Sequence, residues 1–220
     1  MRVGILGGTG PLGRGLAARL AAAGDEVVLG SRDAARAEDL AAELVGAWPG
    51  RDLAVTGADN EGAAACDLVV MATPWDAAVP TVKPLAAALS GKVVVSVANA
   101  LVKQGREMQA LVPARGSVAA AVAAALPGSL VAAAGHHLPA AELADLDASL
   151  GSDVLVCSDH PEATAATVDL LGRIPGLRPL DAGSLASAAP IEAFTAVLIT
   201  VNIRYKAHSS LRLTGLEAAP

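Results

Sequence analysis

Residues 2–13 read Arg2-Val3-Gly4-Ile5-Leu6-Gly7-Gly8-Thr9-Gly10-Pro11-Leu12-Gly13, and the fold turns on them. A short apolar run leads straight into a glycine cluster, which opens onto Leu12, Leu16 and Leu20 at helical spacing. Gly8, Gly10 and Gly13 form GxGxxG between a strand and a helix, the context that gives this pattern its weight. Gly8 permits a tight turn, Gly10 a close backbone approach to a pyrophosphate, and Gly13 close packing of helix on strand. The helix N-terminus adds unpaired N–H groups and partial positive charge for the anion.

Outward from this loop, apolar strands are expected at 2–6, 26–29, 53–56, 68–72, 93–97, 130–134 and 154–157. Helices are expected at 11–23 and from an Asp33 cap to about residue 45. Near-continuous apolar strands separated by helices indicate an α/β fold, a Rossmann-type doubly wound parallel sheet covered on both faces, over residues 1–183. The pattern then changes: Leu185, Ile191, Phe194, Leu198 and Val201 predict helix, making 184–220 a small helical C-terminal segment. So short a segment cannot build a core alone and must pack on the sheet domain, on a partner subunit, or on both.

The second strand selects the nucleotide. An NAD site places an acid about 20 residues after the glycine loop, to accept from the ribose 2′-OH. Here Val27-Val28-Leu29 runs into Gly30-Ser31-Arg32, with Arg36 one turn later. A glycine at position 30 leaves room where a carboxylate would repel a 2′-phosphate. Ser31 can donate to that phosphate, and Arg32 and Arg36 share a helix face that can grip it. NADP(H) is therefore expected over NAD; the alternative is a pair of solvated guanidiniums.

The 220 residues carry 16 basic and 22 acidic side chains, a net charge of −6, and no basic tract, which argues against nucleic acid. Two Trp, one Tyr and one Phe leave little for bases to stack on. Within the longest uncharged stretch, residues 116–138 are broken by Pro127-Gly128 and two histidines and read as helix, turn and strand, so no membrane span is expected. No signal peptide is read at Met1. Cys66 and Cys157 fit no paired or metal-ligand spacing and read as buried free thiols in a reducing cytoplasm.

A nicotinamide site needs a hydride partner. The only tyrosine, Tyr205, is followed four residues on by Ser209, so the Tyr-x-x-x-Lys pair of short-chain dehydrogenases is absent. The C-terminal segment is too short for the large helical domain of hydroxyacid, imine and pyrroline reductases. An NADP-dependent reductase of a small carbonyl or imine and a non-catalytic NADP-sensing protein remain as alternatives.

Six segments carry a resemblance: the loop from Gly7 to Gly13, Gly30-Ser31-Arg32, Ala72-Thr73-Pro74-Trp75, Val94-Val95-Ser96, His136-His137-Leu138-Pro139-Ala140 and Gly176-Leu177-Arg178-Pro179-Leu180-Asp181-Ala182-Gly183. In order along nearly the whole chain, they resemble the NADPH-dependent reductases of the deazaflavin coenzyme F420. The resemblance implies reversible hydride transfer between C4 of NADPH and C5 of the deazaflavin in a small homodimer. It implies that Thr9, Gly10, Pro11 and Leu12 cradle the pyrophosphate, with Ser31, Arg32 and Arg36 around the 2′-phosphate. Thr73 and Pro74 would flank the nicotinamide ribose, and Ser96, Val97 and Ala98 the junction of the two rings. His136, His137 and Leu138 would border the deazaflavin, His136 being the candidate catalytic side chain, and the tail around Leu211 would close the pocket. The dimer contact is expected at 191–201.

Overall fold

The computed structural model describes residues 1–216; the last four residues of the expected 184–220 segment lie outside the described residues. Ten strands and nine α-helices alternate along the described residues. They begin β1 (Arg2–Leu6), α1 (Pro11–Ala22), β2 (Glu26–Ser31), α2 (Ala34–Gly46), β3 (Val55–Asp59), α3 (Asn60–Ala64), β4 (Leu68–Met71) and α4 (Trp75–Val82). After a single 3₁₀ turn come α5 (Ala86–Leu89), β5 (Val93–Ser96), a hairpin of β6 (Leu101–Gln104) and β7 (Glu107–Ala110), α6 (Val118–Ala125) and β8 (Leu130–Ala133). The chain continues through α7 (Ala140–Ala144), β9 (Ser152–Ser158), α8 (Pro161–Gly172) and β10 (Leu177–Asp181) to α9 (Ala188–Tyr205).

Eight strands form one sheet in the order β10-β9-β8-β5-β4-β1-β2-β3. Its central strands are apolar on both faces because helices cover both: Val3, Ile5 and Leu29 pack with Leu16 and Leu20 of α1, while Leu6, Val69 and Val94 pack with Val82, Leu89 and Val122 opposite. The Rossmann-type reading therefore holds, with amendments. β8 and β9 run antiparallel, while β9 and β10 pair parallel with each other, so these two edge strands run against the rest. β10 lies in a segment not read as a strand, and the β6–β7 hairpin was not anticipated. The third strand starts at Val55 rather than at residue 53. The helix and turn expected within 116–138 are α6 and the turn before β8.

α9 joins the sheet domain through specific contacts. Its Glu192, buried, accepts from the N–H groups of Val118 (2.8 Å) and Ala119 (3.0 Å) at the start of α6. Thr200 accepts from the N–H of Met108 on β7 at 2.9 Å. With its preceding turn, α9 is the one helix among the described residues long and apolar enough to cross a membrane. Phe194 and Val197 stand exposed on it.

Candidate nucleotide and deazaflavin site

The cleft begins where the strand order reverses. β1 lies between β2 and β4, so the loops leaving β1 and β4 part at the carboxyl ends of the strands, where open α/β sheets take ligands. Gly7, Thr9 and Gly10 from the first loop and Ala72, Thr73 and Pro74 from the second line a cleft of about 750 Å³. Ser31, Arg32, Arg36, Asn60, Ala77, Pro80 and Pro84 belong to the same lining.

At its floor stands the N-terminus of α1. Gly10 is the N-cap without a capping side chain, Pro11 takes the first turn, and no acid lies there. The first intrahelical bond is Arg14 N–H to Gly10 O at 2.9 Å, so the N–H groups of Leu12 and Gly13 have no partner in the helix. The loop is tight enough that a Cβ on Gly13 would lie 2.8 Å from Gly8 Cα. Such an uncapped helix end, with free N–H groups and no acid beside it, is able to receive an anion.

The second strand delivers the charge. Asp33 caps α2 as expected, accepting from Arg36 N–H at 3.2 Å. Ser31 Oγ accepts from Asp33 N–H at 3.2 Å, which leaves its own hydrogen for another acceptor. Arg2, Arg14, Arg51, Arg173, Arg178 and Arg204 pair with carboxylates, whereas Arg32 and Arg36 pair with none among the described residues. Gly30 has a different reason from the one expected. A Cβ there would meet Ala63 Cβ at 2.7 Å and Ile5 O at 3.1 Å, so the glycine is required by the packing of α3 and leaves no space for a phosphate. The space lies beside Ser31, Arg32 and Arg36 instead.

The remaining expected residues lie at the carboxyl ends of β5 and β8, apart from this cleft. Ser96, Val97, Ala98, His136 and Leu138 are all buried. Leu12 packs against the core, and Pro11, with Thr9, lines a separate groove between α1, α2 and α7. Four polar atoms here have no hydrogen-bond partner within the protein: Ser96 Oγ, Asn99 Oδ1 and both ring nitrogens of His136. Asn99, outside the residues expected at the site, donates its amide to His136 O at 2.7 Å; its position three residues after Ser96 is the cue the sequence offers. Burial first, and then neighbouring His137, push His136 down to about 4. At neutral pH His136 thus offers one donor and one acceptor without charge.

His137 is lowered by burial as well, and its Nε2–H donates to Asp153 O at 2.7 Å. Asp153 N–H in turn donates to Leu211 O at 2.8 Å, which brings the C-terminal tail beside His137. Arg19, buried in α1, donates to the carbonyls of Glu142, Leu143, Asp145 and Ala148 and so ties α7, which follows 136–138 in the chain, to α1. Cys66 and Cys157 are free and buried, and burial first, then nearby acids, push the Cys157 thiol up to about 12.

The arrangement combines an uncapped helix N-terminus, two guanidiniums without carboxylate partners among the described residues, an apolar wall and a buried cluster of neutral polar groups. Residues 2–100 match the family model described as NADP oxidoreductase, coenzyme F420-dependent. The F420-dependent NADP reductase of Methanocaldococcus jannaschii is 37% identical, over 99% of this chain and 100% of that protein. That of Methanothermobacter marburgensis is 35% identical, over 98% and 99% respectively. In three dimensions, the structure of a candidate F420-dependent NADP-reductase from Arthrobacter sp. FB24 superposes with a TM-score of 0.82 at 24% identity, covering 97% of this chain and 99% of that one.

Proposed function

The chain belongs to the F420-dependent NADP reductase family, and we propose from that premise how its residues seat the two coenzymes. It is an oxidoreductase that moves hydride between NADPH and coenzyme F420. Forward, the C4–H bond of the dihydronicotinamide breaks, its electron pair and hydrogen form the C5–H bond of the deazaflavin, and one proton is taken up.

The protein's share is binding, alignment and exclusion of water. The N–H groups of Leu12 and Gly13, with Thr9, Gly10 and Pro11, hold the pyrophosphate. Ser31, Arg32 and Arg36 hold the 2′-phosphate, and Ala77, Pro80 and Pro84 face the adenine. Thr73 and Pro74 flank the nicotinamide ribose, Ser96, Val97 and Ala98 border the ring junction, and His136, His137, Leu138 and Leu211 border the deazaflavin. Aligning two bound rings needs no nucleophile; reacting carbons held at about 3–3.5 Å account for much of the acceleration. The neutral His136 and the orphan acceptor of Asn99 supply hydrogen bonds to uncharged ring edges without adding charge beside a migrating hydride.

The observation that carries the nucleotide assignment is the unpaired Arg32 and Arg36 beside Ser31 on the rim of the cleft. Its test is to mix the protein with oxidised F420 and follow the deazaflavin's visible absorbance. NADPH should bleach it rapidly and NADH far more slowly; equal rates would remove the 2′-phosphate site.

Two coarser features complete the proposal. Phe194, Val197 and Val201 form an apolar stripe at helical spacing on α9, with Phe194 and Val197 exposed, which supports homodimerisation through 191–201. A monomeric mass in light scattering would contradict it. Two free buried thiols support a reducing cytoplasmic setting.

A further inference from the structure

β8 and β9 stay paired only at Ala132 with Ser158 and Ala133 with Cys157. β8 ends there, and further along β9 the 136–138 segment and the C-terminal tail lie against it through His137 and Leu211. One residue reaches both. Asp153 sits on β9 directly beside Arg178 of β10, and its side chain is fully buried. Its carbonyl accepts from His137 Nε2–H at 2.7 Å, and its N–H donates to Leu211 O at 2.8 Å. Its carboxylate takes both Arg178 Nε–H (2.7 Å) and Nη2–H (2.6 Å), and accepts Leu213 N–H at 2.6 Å. Arg178 has further hydrogens, which go to the tail: Nη2 to Leu213 O at 2.7 Å and Nη1 to Leu216 O at 3.3 Å.

Two apolar side chains could hold β9 to β10 equally well, since a buried ion pair is weak evidence of stability. What they could not do is engage the tail backbone directionally. We propose that Asp153 and Arg178 form a latch that positions the deazaflavin pocket, setting His137 from one side and the Leu211 tail from the other. This rests on the reading that His137 and Leu211 border the deazaflavin. Neither Asp153 nor Arg178 touches the reacting atoms; both are positioning residues, acting through His137 and the tail. The latch lies at the far edge of the sheet from Arg32 and Arg36, so it governs one coenzyme and not the other.

The test uses the full chain carrying Arg178→Gln or Leu213→Pro, the second removing the tail N–H that reaches Asp153 while leaving Asp153 and Arg178 in place. Three readouts are taken: KM for F420, Kd for NADPH, and the rate of trypsin cleavage after Lys206, a bond that both variants leave unchanged. Both variants should be cut faster and show a KM for F420 raised by about ten- to a hundredfold, with NADPH affinity within about twofold, as expected for the loss of one or two hydrogen bonds to one ligand only. If Arg178→Gln fails to fold, Leu213→Pro decides alone. A released tail with an unchanged KM for F420, or parallel losses for both coenzymes, overturns the latch. A wild-type chain that does not bleach F420 overturns the functional reading and the latch's part in it, a failure that cannot be confused with the first.

Discussion

Gly7 and Thr73 meet across the switch point between β1 and β4: a Cβ on Gly7 would stand 2.8 Å from both Cγ2 and the backbone nitrogen of Thr73. Gly7 also has φ +72°, a backbone region that side chains rarely adopt. Gly7→Ala should therefore cost about 2–4 kcal/mol through left-handed strain and overpacking. It should weaken NADPH binding at the same time, because the two loops that bound the cleft are forced apart. Denaturant unfolding and a nucleotide titration check this together; wild-type values in both would contradict the close approach.

Arg32→Ala and Arg36→Ala should each weaken NADPH binding by about 1.5–3 kcal/mol, the range for a hydrogen bond to a charged group, or roughly ten- to 150-fold. NADH binding should hardly change. Equal losses for the two nucleotides in a fluorescence titration would show that the guanidiniums do not contact the 2′-phosphate.

Acid should destabilise the protein through its buried histidines. With a folded pKa of about 4 against an ordinary 6.5, His136 binds more protons unfolded than folded between those values. Its contribution is thus full above pH 6.5 and is lost as the pH falls toward 4, by about 3 kcal/mol at most. His137 is shifted the same way. Unfolding free energies measured between pH 7 and 5 should fall, and His136→Gln should flatten the decline. An equally steep decline in the variant would place the titrating group elsewhere.

Glu192 makes the buried tie between α9 and α6. Burial raises its pKa, and the N–H groups of Val118 and Ala119 pull it back down. Glu192→Ala leaves those two buried donors without partners and should cost about 2–4 kcal/mol. Glu192→Gln keeps an acceptor and should cost less. Equal stability of both variants and wild type in chemical unfolding would count against the tie.

How far the molecule could be read from its residues depended on how local each signal was. The glycine loop, the Asp33 cap and the Ser31, Arg32, Arg36 grouping lie within single strand–loop–helix units, where steric and capping rules act at fixed spacing. Strand direction does not: the apolar run at Val154, Leu155 and Val156 pairs equally well either way, so the reversal of β9 and β10 had no cue. The β6–β7 hairpin carries Lys103, Gln104, Arg106 and Glu107 in place of an alternating apolar face and reads as loop. β3 was misplaced because Thr56-Gly57-Ala58-Asp59 has weak strand preference. Its Gly57 is imposed by α2, where a Cβ would lie 2.2 Å from Ala37 C. The role of Gly30 changed for the same kind of reason, since Ala63 is far away in sequence. Asp153 was invisible as a site residue because its partners Arg178 and Leu213 lie 25 and 60 positions away.

The most direct measurement follows the hydrogen itself. NADPH carrying deuterium at C4 on the transferred face is incubated with the protein and oxidised F420 in ordinary water, and the product is read by mass spectrometry and proton NMR. Direct transfer between two aligned rings predicts deuterium at C5 of the reduced deazaflavin, without dilution by solvent. Deuterium appearing in the water, or NADPH consumed with no label on the deazaflavin, would contradict it.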